Sequence, residues 1–269
     1  MNARTIFGII CGALLVANLH AQQRIPQGQN FYNDSRGVLY DRELAMDFKL
    51  HTNGFALGVN IGELKSFYRT RFIHIGIGEI KHAKEFRQND GQISLTQVSR
   101  SFIYGKQNNF YNLRVGVGEK LYFSEKAARK GVAVGWSYEA GGTLGLLKPY
   151  YLQLLNSLEP GSLEFIIRSE KYSDETAERF LNIDRIQGAA GFAAGLGELS
   201  LLPGLHGKLA MHFDWGAFDE FVKAMEVGVM VDVFFKKVPI MVESQLVGDT
   251  ENQPLFINLF LNLQLGKRW

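Results

Sequence analysis

The side chains that could do chemistry fall at alternate positions of apolar segments. Asp47, Lys49 and His51 form one such set; His206, Lys208, His212 and Asp214 form another. His74, Arg114, Glu139, Glu226 and Asp232 each stand among small or apolar neighbours. Three chemistries fit these residue types. A histidine beside a serine and an acid would make a nucleophile set, as Ser137, Glu139 and His212 would if the fold joined them. His206, His212 and Asp214, with His51 and His74, are zinc-ligand types. Acids and bases in equal measure could instead neutralise one another as buried ion pairs.

A period of two decides what must position them. In Pro254–Trp269 the odd positions are Leu255, Ile257, Leu259, Leu261, Leu263 and Leu265, and the even ones are mostly polar. One strand face is therefore wholly apolar. The chain stops at an aromatic, Trp269, in phase with that face, and Lys267 and Arg268 precede it as basic side chains able to reach a headgroup layer. The same alternation predicts strands over Glu43–Thr52, Phe55–Gly62, Phe67–Ile80, 111–118, 132–141 running on toward Leu146, 205–215 and 225–233. With the closing strand that makes about eight. Asn53-Gly54 reads as a two-residue hairpin loop, and Glu63–Ser66, Ser124–Lys130 and Gly216-Ala217 as short turns. Lys81–Gln107, 148–203 and Lys236–Gln253 are long connections. The first carries expected strand extensions at Ile93–Gln97 and Ser101–Tyr104. The second carries a hairpin of Tyr150–Leu155 with Leu163–Ser169 around Glu159-Pro-Gly161, then a helical piece over Asp174–Leu181. Short connections follow strands two, four and six; long ones follow three, five and seven. Transmembrane barrels have this asymmetry, with short periplasmic turns and long outer loops. The expected fold is an all-β antiparallel transmembrane barrel with long extracellular loops.

Ahead of the strands, Met1–Ala21 has a positive start, an apolar run and a small residue at its end, the pattern of a cleaved signal peptide. Residues 22–42 read as a polar periplasmic tail, with 43–269 the barrel and 148–203 its long extracellular insertion. The one cysteine, Cys11, lies in the leader, so the mature chain has no thiol chemistry. Lys and Arg number 29 against 27 Asp and Glu, which gives no basic excess for nucleic acid. A mean hydropathy of −0.06 is compatible with strands that face lipid on one side only.

The leader, the alternating strands and the aromatic end resemble the small outer-membrane barrels of the OmpX, OmpW and OmpA-transmembrane type over nearly the whole mature chain. Leu50-His-Thr-Asn-Gly-Phe55, Lys81-His-Ala-Lys-Glu85, Tyr104-Gly-Lys106, Leu147-Lys-Pro-Tyr150 and Lys237-Val-Pro-Ile-Met241 are similar to an uncharacterised family of Bacteroidota outer-membrane barrel proteins. That resemblance implies the outer membrane as location and supplies no activity.

In such a barrel the face opposite the lipid is the lumen. Asp47, Lys49, His74, Arg114, Glu139, Lys208, His212, Asp214, Glu226 and Asp232 then form an inner polar network, with Arg114 and Glu139 on neighbouring strands expected to pair. With about eight strands, side chains nearly fill the interior, which favours a static ionic plug over a pore. Residues two apart on a strand lie about 7 Å apart, which disfavours a metal centre on His206 and His212. No local motif supports Ser137 with His212. Gly76-Ile-Gly78 and Gly116-Val-Gly118 are too short for nucleotide loops and read as inward glycines making room for large neighbours. No cofactor is called for. The insertion holds Tyr150, Tyr151, Leu154, Leu155, Phe165, Ile166, Ile167 and Tyr172, more apolar surface than a solvated loop needs. Either it packs on itself or it meets a partner. Expected partners are outer-membrane lipid and lipopolysaccharide, the latter at the basic run Lys81–Arg87, and other envelope proteins through 148–203 and 22–42. The functional expectation is a non-enzymatic structural or accessory subunit of an outer-membrane complex. The alternatives are a small-molecule transporter or porin-like barrel with a lateral opening, and a lipid-modifying enzyme.

Overall fold

The computed structural model describes residues 40–66, 68–88, 100–123, 131–157, 165–216, 219–244, 247–248 and 250–269. The leader 1–21, most of the tail 22–42, the strand extension at Ile93–Gln97 and the turns at 124–130 and 159–161 lie outside them.

Among the described residues thirteen strands form in chain order: β1 (Arg42–His51), β2 (Gly54–Ser66), β3 (Arg69–Ile80), β4 (Arg87–Gln88), β5 (Phe102–Ile103), β6 (Asn108–Tyr122), β7 (Ala133–Pro149), β8 (Tyr151–Ser157), β9 (Phe165–Lys171), β10 (Ile186–Ala189), β11 (Ser200–Asp214), β12 (Phe221–Phe234) and β13 (Leu255–Arg268). Eight of them close a barrel in the order β1-β13-β12-β11-β7-β6-β3-β2. Every neighbouring pair is antiparallel, and β13 joins back to β1 with Glu43 opposite Arg268 and His51 opposite Phe260. Closure leaves no barrel edge, as backbone inside a bilayer demands. Burial alternates strictly along β1, β3 and β13.

Three connections lie at one end, between β2 and β3, β6 and β7, and β11 and β12. Both ends of the barrel sequence meet there, where the Trp269 carbonyl accepts the Asp41 and Arg42 N–H groups. The long connections leave the other, outer end. Two of them build small sheets of their own, β4 with β5 and the three-stranded β10-β8-β9. β10 has no counterpart in the sequence reading, because four residues carry too little alternation to register. The helical piece contracts to a single turn, Ala177–Phe180.

Several expectations shift. The hairpin loop after β1 is Thr52-Asn53, one residue earlier than expected, with His51 paired to Gly54. Gly54 belongs to β2 at φ +151°, and a Cβ there would lie 2.1 Å from the Glu79 carbonyl oxygen, so only glycine fits. Glu63–Ser66 is strand rather than turn, pairing through Ser66 with Arg69. The insertion starts after Pro149 and ends before Ser200, so Lys148 and Pro203 are both strand residues. Proline is tolerated at 203 because its nitrogen faces the end of the β12 ladder, where its carbonyl still accepts the Phe235 N–H.

Candidate functional site: the filled lumen and its lid

The inner face carries small residues wherever a long side chain must cross the lumen. A Cβ on Gly58 or Gly76 would lie 2.5 Å or 2.7 Å from the His74 ring, and one on Gly116 or Gly141 would crowd the ring of His206. Gly118 does the same for the Phe72 ring, so the inward glycines of these strands make room for large neighbours.

Around those side chains, charged and polar groups form a ladder of linked sets along the lumen. At the turn end Glu43 accepts from Lys120 Nζ at 2.7 Å and Arg268 Nε at 2.9 Å. Arg268 also donates to Asp214 at 2.7 Å and to the Gly216 carbonyl. Its side chain is 2 % exposed. The expectation that Arg268 reaches a headgroup layer is thus corrected: parity turns it inward, where two carboxylates hold it. Lys267 keeps the outward place and pairs with Glu220 at 2.8 Å. Asp214 accepts from Tyr122 Oη at 3.1 Å, and the same hydroxyl lies 3.1 Å from His212 Nε2.

In mid-lumen His212 Nδ1 meets Glu226 at 3.2 Å, and Lys208 bridges Glu226 and Glu139, each at 3.1 Å. His206 Nε2 is 2.9 Å from Glu139. Asn60 donates to both oxygens of Asp47 at 2.8 Å and its carbonyl oxygen lies 2.7 Å from His74 Nδ1. Lys49 lies over the Phe260 ring at 5.9 Å. Nearer the mouth Arg114 grips Asp232 with two hydrogen bonds of 2.9 and 2.8 Å. The Asn112 amide, turned to satisfy both its ends, accepts from Arg114 at 2.7 Å.

The expected Arg114–Glu139 pair does not form. Their strands are neighbours, but Arg114 is level with Thr143 and Glu139 with Gly118. That offset of four residues is about 13 Å along the strand, and Arg114 reaches across to β12 instead. Nor does a nucleophile set assemble. Ser137 Oγ is buried without a hydrogen-bond partner, while both nitrogens of His212 face Glu226 and Tyr122. Among the described residues no group of three His, Cys, Asp or Glu side chains is arranged around a metal position.

Above the ladder the chemistry changes. Ile80, Phe110, Leu147, Leu202, Phe234 and Phe256 point inward at the loop end and pack with Val238, Ile240 and Met241. The Phe110 ring lies 5.1 Å from Phe234 and 5.8 Å from Phe256. Residues 238–242 come from the last long connection and lie across the mouth. Gln107 and Asn108 donate their N–H groups to the Ile240 carbonyl at 2.9 and 3.1 Å. The Asn252 side chain accepts from the Ile240 and Met241 N–H groups and donates to the Met241 carbonyl. By sequence alone this stretch counts only as one of the long connections, Lys236–Gln253. The signal was present in Val238-Pro-Ile-Met-Val242, an apolar run too long for a solvated loop. A second apolar cluster, with Phe102, Leu152, Leu154, Phe180 and Ile186, lies under the outer sheet. Leu154 of the insertion thus packs within the cap, whereas Ile167 is 41 % exposed.

The outer face of the same strands is apolar from wall to wall. Met46, Ile61, Val117, Leu209, Ile257 and Leu259 are each more than half exposed. The turn end is ringed by Tyr68, Phe123, Trp215, Phe221 and Trp269, all exposed. A lipid-facing band bounded by an aromatic girdle is the exterior of a protein that lives in a bilayer. The chain is an eight-stranded outer-membrane β-barrel.

Among solved structures the similarities are low. The N-terminal β-barrel domain of Pseudomonas aeruginosa OprF is 9% identical, covering 86% of this chain and 98% of that one, with a TM-score of 0.33. The attachment invasion locus protein Ail of Yersinia pestis is 8% identical, covering 85% and 95%, with a TM-score of 0.31. Ail in complex with the heparin analogue sucrose octasulfate is 9% identical at a TM-score of 0.31, with 85% and 96% covered. No family model matches the chain, and no curated protein matches it.

Proposed function

We propose that this barrel is a non-enzymatic structural or accessory subunit of an outer-membrane complex. The observation that carries the reading is the filled interior: a charge ladder from Glu43 to Asp232, closed above by the lid of Phe110, Phe234, Phe256 and Ile240. A barrel so filled offers a substrate neither a passage nor a chamber. Its outer connections, in contrast, are built into ordered sheets. Exposed Ile167 and Ile183 on that cap are surface a partner would cover. The contact regions in this reading are the insertion within 148–203 and the periplasmic segment 22–42, following a signal peptide at 1–21.

The transporter reading needs an opening between strands, and all eight are paired on both sides. The lipid-modifying reading needs a nucleophile with its base, and Ser137 has none in reach. The test is recovery of the tagged full chain from its own outer membrane in mild detergent, with mass spectrometry of what accompanies it. Envelope proteins in fixed stoichiometry, lost when Ile167 and Ile183 are changed to Asp, support the subunit. Recovery alone, with a single small molecule retained in the barrel, contradicts it.

A further inference from the structure

A recess of about 610 Å³ opens at the outer rim, against the ends of β3, β6 and β7. Its position follows from side-chain parity. On the lipid-facing side of these strands the apolar column ends at Ile77, Leu113 and Leu146. One step higher, about 7 Å along the strand, the same columns present Glu79, Tyr111 and Lys148, with Tyr111 level with both Glu79 and Leu146. The recess therefore lies on the outside of the barrel wall, at the height where hydrocarbon gives way to headgroups. Residues 189–194 and the stretch around Arg100 roof it.

Its charge is one-sided. Lys81, Arg87, Arg100, Lys106 and Lys148 line it against Glu79 and Glu85. Lys106 and Glu85 neutralise each other at 2.7 Å, both nearly buried, and Lys81 lies 3.6 Å from Glu79. Among the described residues, Arg87, Arg100 and Lys148 have no carboxylate partner. Lys148 is 3 % exposed, donates only to the Phe192 carbonyl at 2.5 Å, and lies 3.9 Å from the Phe192 ring centre. Phe192 and Tyr151 complete the wall with aromatic faces. A nearly buried ammonium without a carboxylate partner, lining one recess with two guanidinium groups, is a site short of an anion.

We propose that this recess binds the phosphate of an outer-leaflet glycolipid, a phosphorylated sugar headgroup whose acyl chains lie down the wall past Ile77 and Leu113. A soluble phosphate source shares the charge chemistry but not the lateral approach. The experiment uses the full chain in zwitterionic detergent and measures binding of bisphosphorylated lipid A, of the same lipid with its phosphates removed, and of inorganic phosphate. Lipid A is expected to bind at least ten times tighter than the dephosphorylated lipid. Arg87→Gln with Arg100→Gln is expected to weaken lipid A binding by at least tenfold, and Lys148→Ala to do the same separately. Arg87 and Arg100 are exposed and lie outside the barrel, so the heat-dependent gel mobility of the folded barrel should be unchanged in that double variant. Equal binding of the two lipids, or an unweakened double variant, overturns the phosphate site. Inorganic phosphate binding as tightly as lipid A overturns the lipid as its source.

Discussion

The lower and upper parts of the lumen solve one problem with opposite chemistry. From Glu43 up to Asp232, the interior is filled by acidic and basic side chains crossing from wall to wall, most of them paired with one on another strand, while Lys49 lies over the Phe260 ring. From Phe110 to Met241, it is filled by rings and branched aliphatics, one segment of which belongs to a loop. The ionic part draws on strand parity alone. The apolar part needs a piece of chain folded back over the mouth. The difference teaches that the ladder is fixed by the barrel and the lid by the outer connections, so the two should fail differently.

The largest effect is expected at the bottom of the ladder. Arg268→Ala leaves Glu43 and Asp214 facing each other without their shared cation, and removing one partner of a buried charge set costs about 3–5 kcal/mol. Urea unfolding of the refolded barrel in lipid should show a midpoint lowered accordingly; an unchanged midpoint would mean the ladder is solvated. Phe110→Ala should cost somewhat less, about 3 kcal/mol, and the loss should appear as faster hydrogen exchange at Ile240 and Met241 with the barrel amides unaffected. If the barrel amides loosen equally, ladder and lid are one cooperative unit. Arg114→Lys keeps the charge but gives up the two-pronged grip on Asp232, so about 1–2 kcal/mol is expected from the same urea titration.

The smallest effect lies out on the cap. A hydrogen bond from Lys171, then one from Tyr151, holds the Glu198 carboxyl below the usual carboxylate range. A lowered folded-state value means stability that is present above the ordinary carboxylate range and lost as pH falls through the lowered one. Both side chains are about half exposed, so Lys171→Ala should leave the neutral-pH midpoint unmoved and only flatten the drift on the acid side. A large shift at pH 7 would show that the cap and barrel share their stability.

Much of the fold was legible because a strand in lipid writes its two faces into odd and even positions. The outward Leu residues of β13 and the inward Asp47, Lys49 and His51 of β1 needed only counting. Which partner each inner charge takes was not legible. Arg114 spans the lumen to Asp232 because register and side-chain length, not strand adjacency, set its reach. The Thr52-Asn53 loop slipped one residue because Gly54 is demanded by the Glu79 carbonyl beside it, a contact between distant parts of the sequence. The recess at Lys148 was legible only in part. The basic run Lys81–Arg87 already read as a lipopolysaccharide contact, but Arg100 and Lys148 come from distant stretches, and each alone reads as an ordinary solvated residue.

Whether ladder and lid together close the lumen is read out by planar-bilayer recording of the pure, refolded full chain in molar potassium chloride. A baseline without conductance steps is expected for this chain, and steps on replacing Phe110, Phe234 and Phe256 together with Ala while the ladder is opened by Lys208→Ala. Reproducible ohmic steps from the unaltered protein would contradict it.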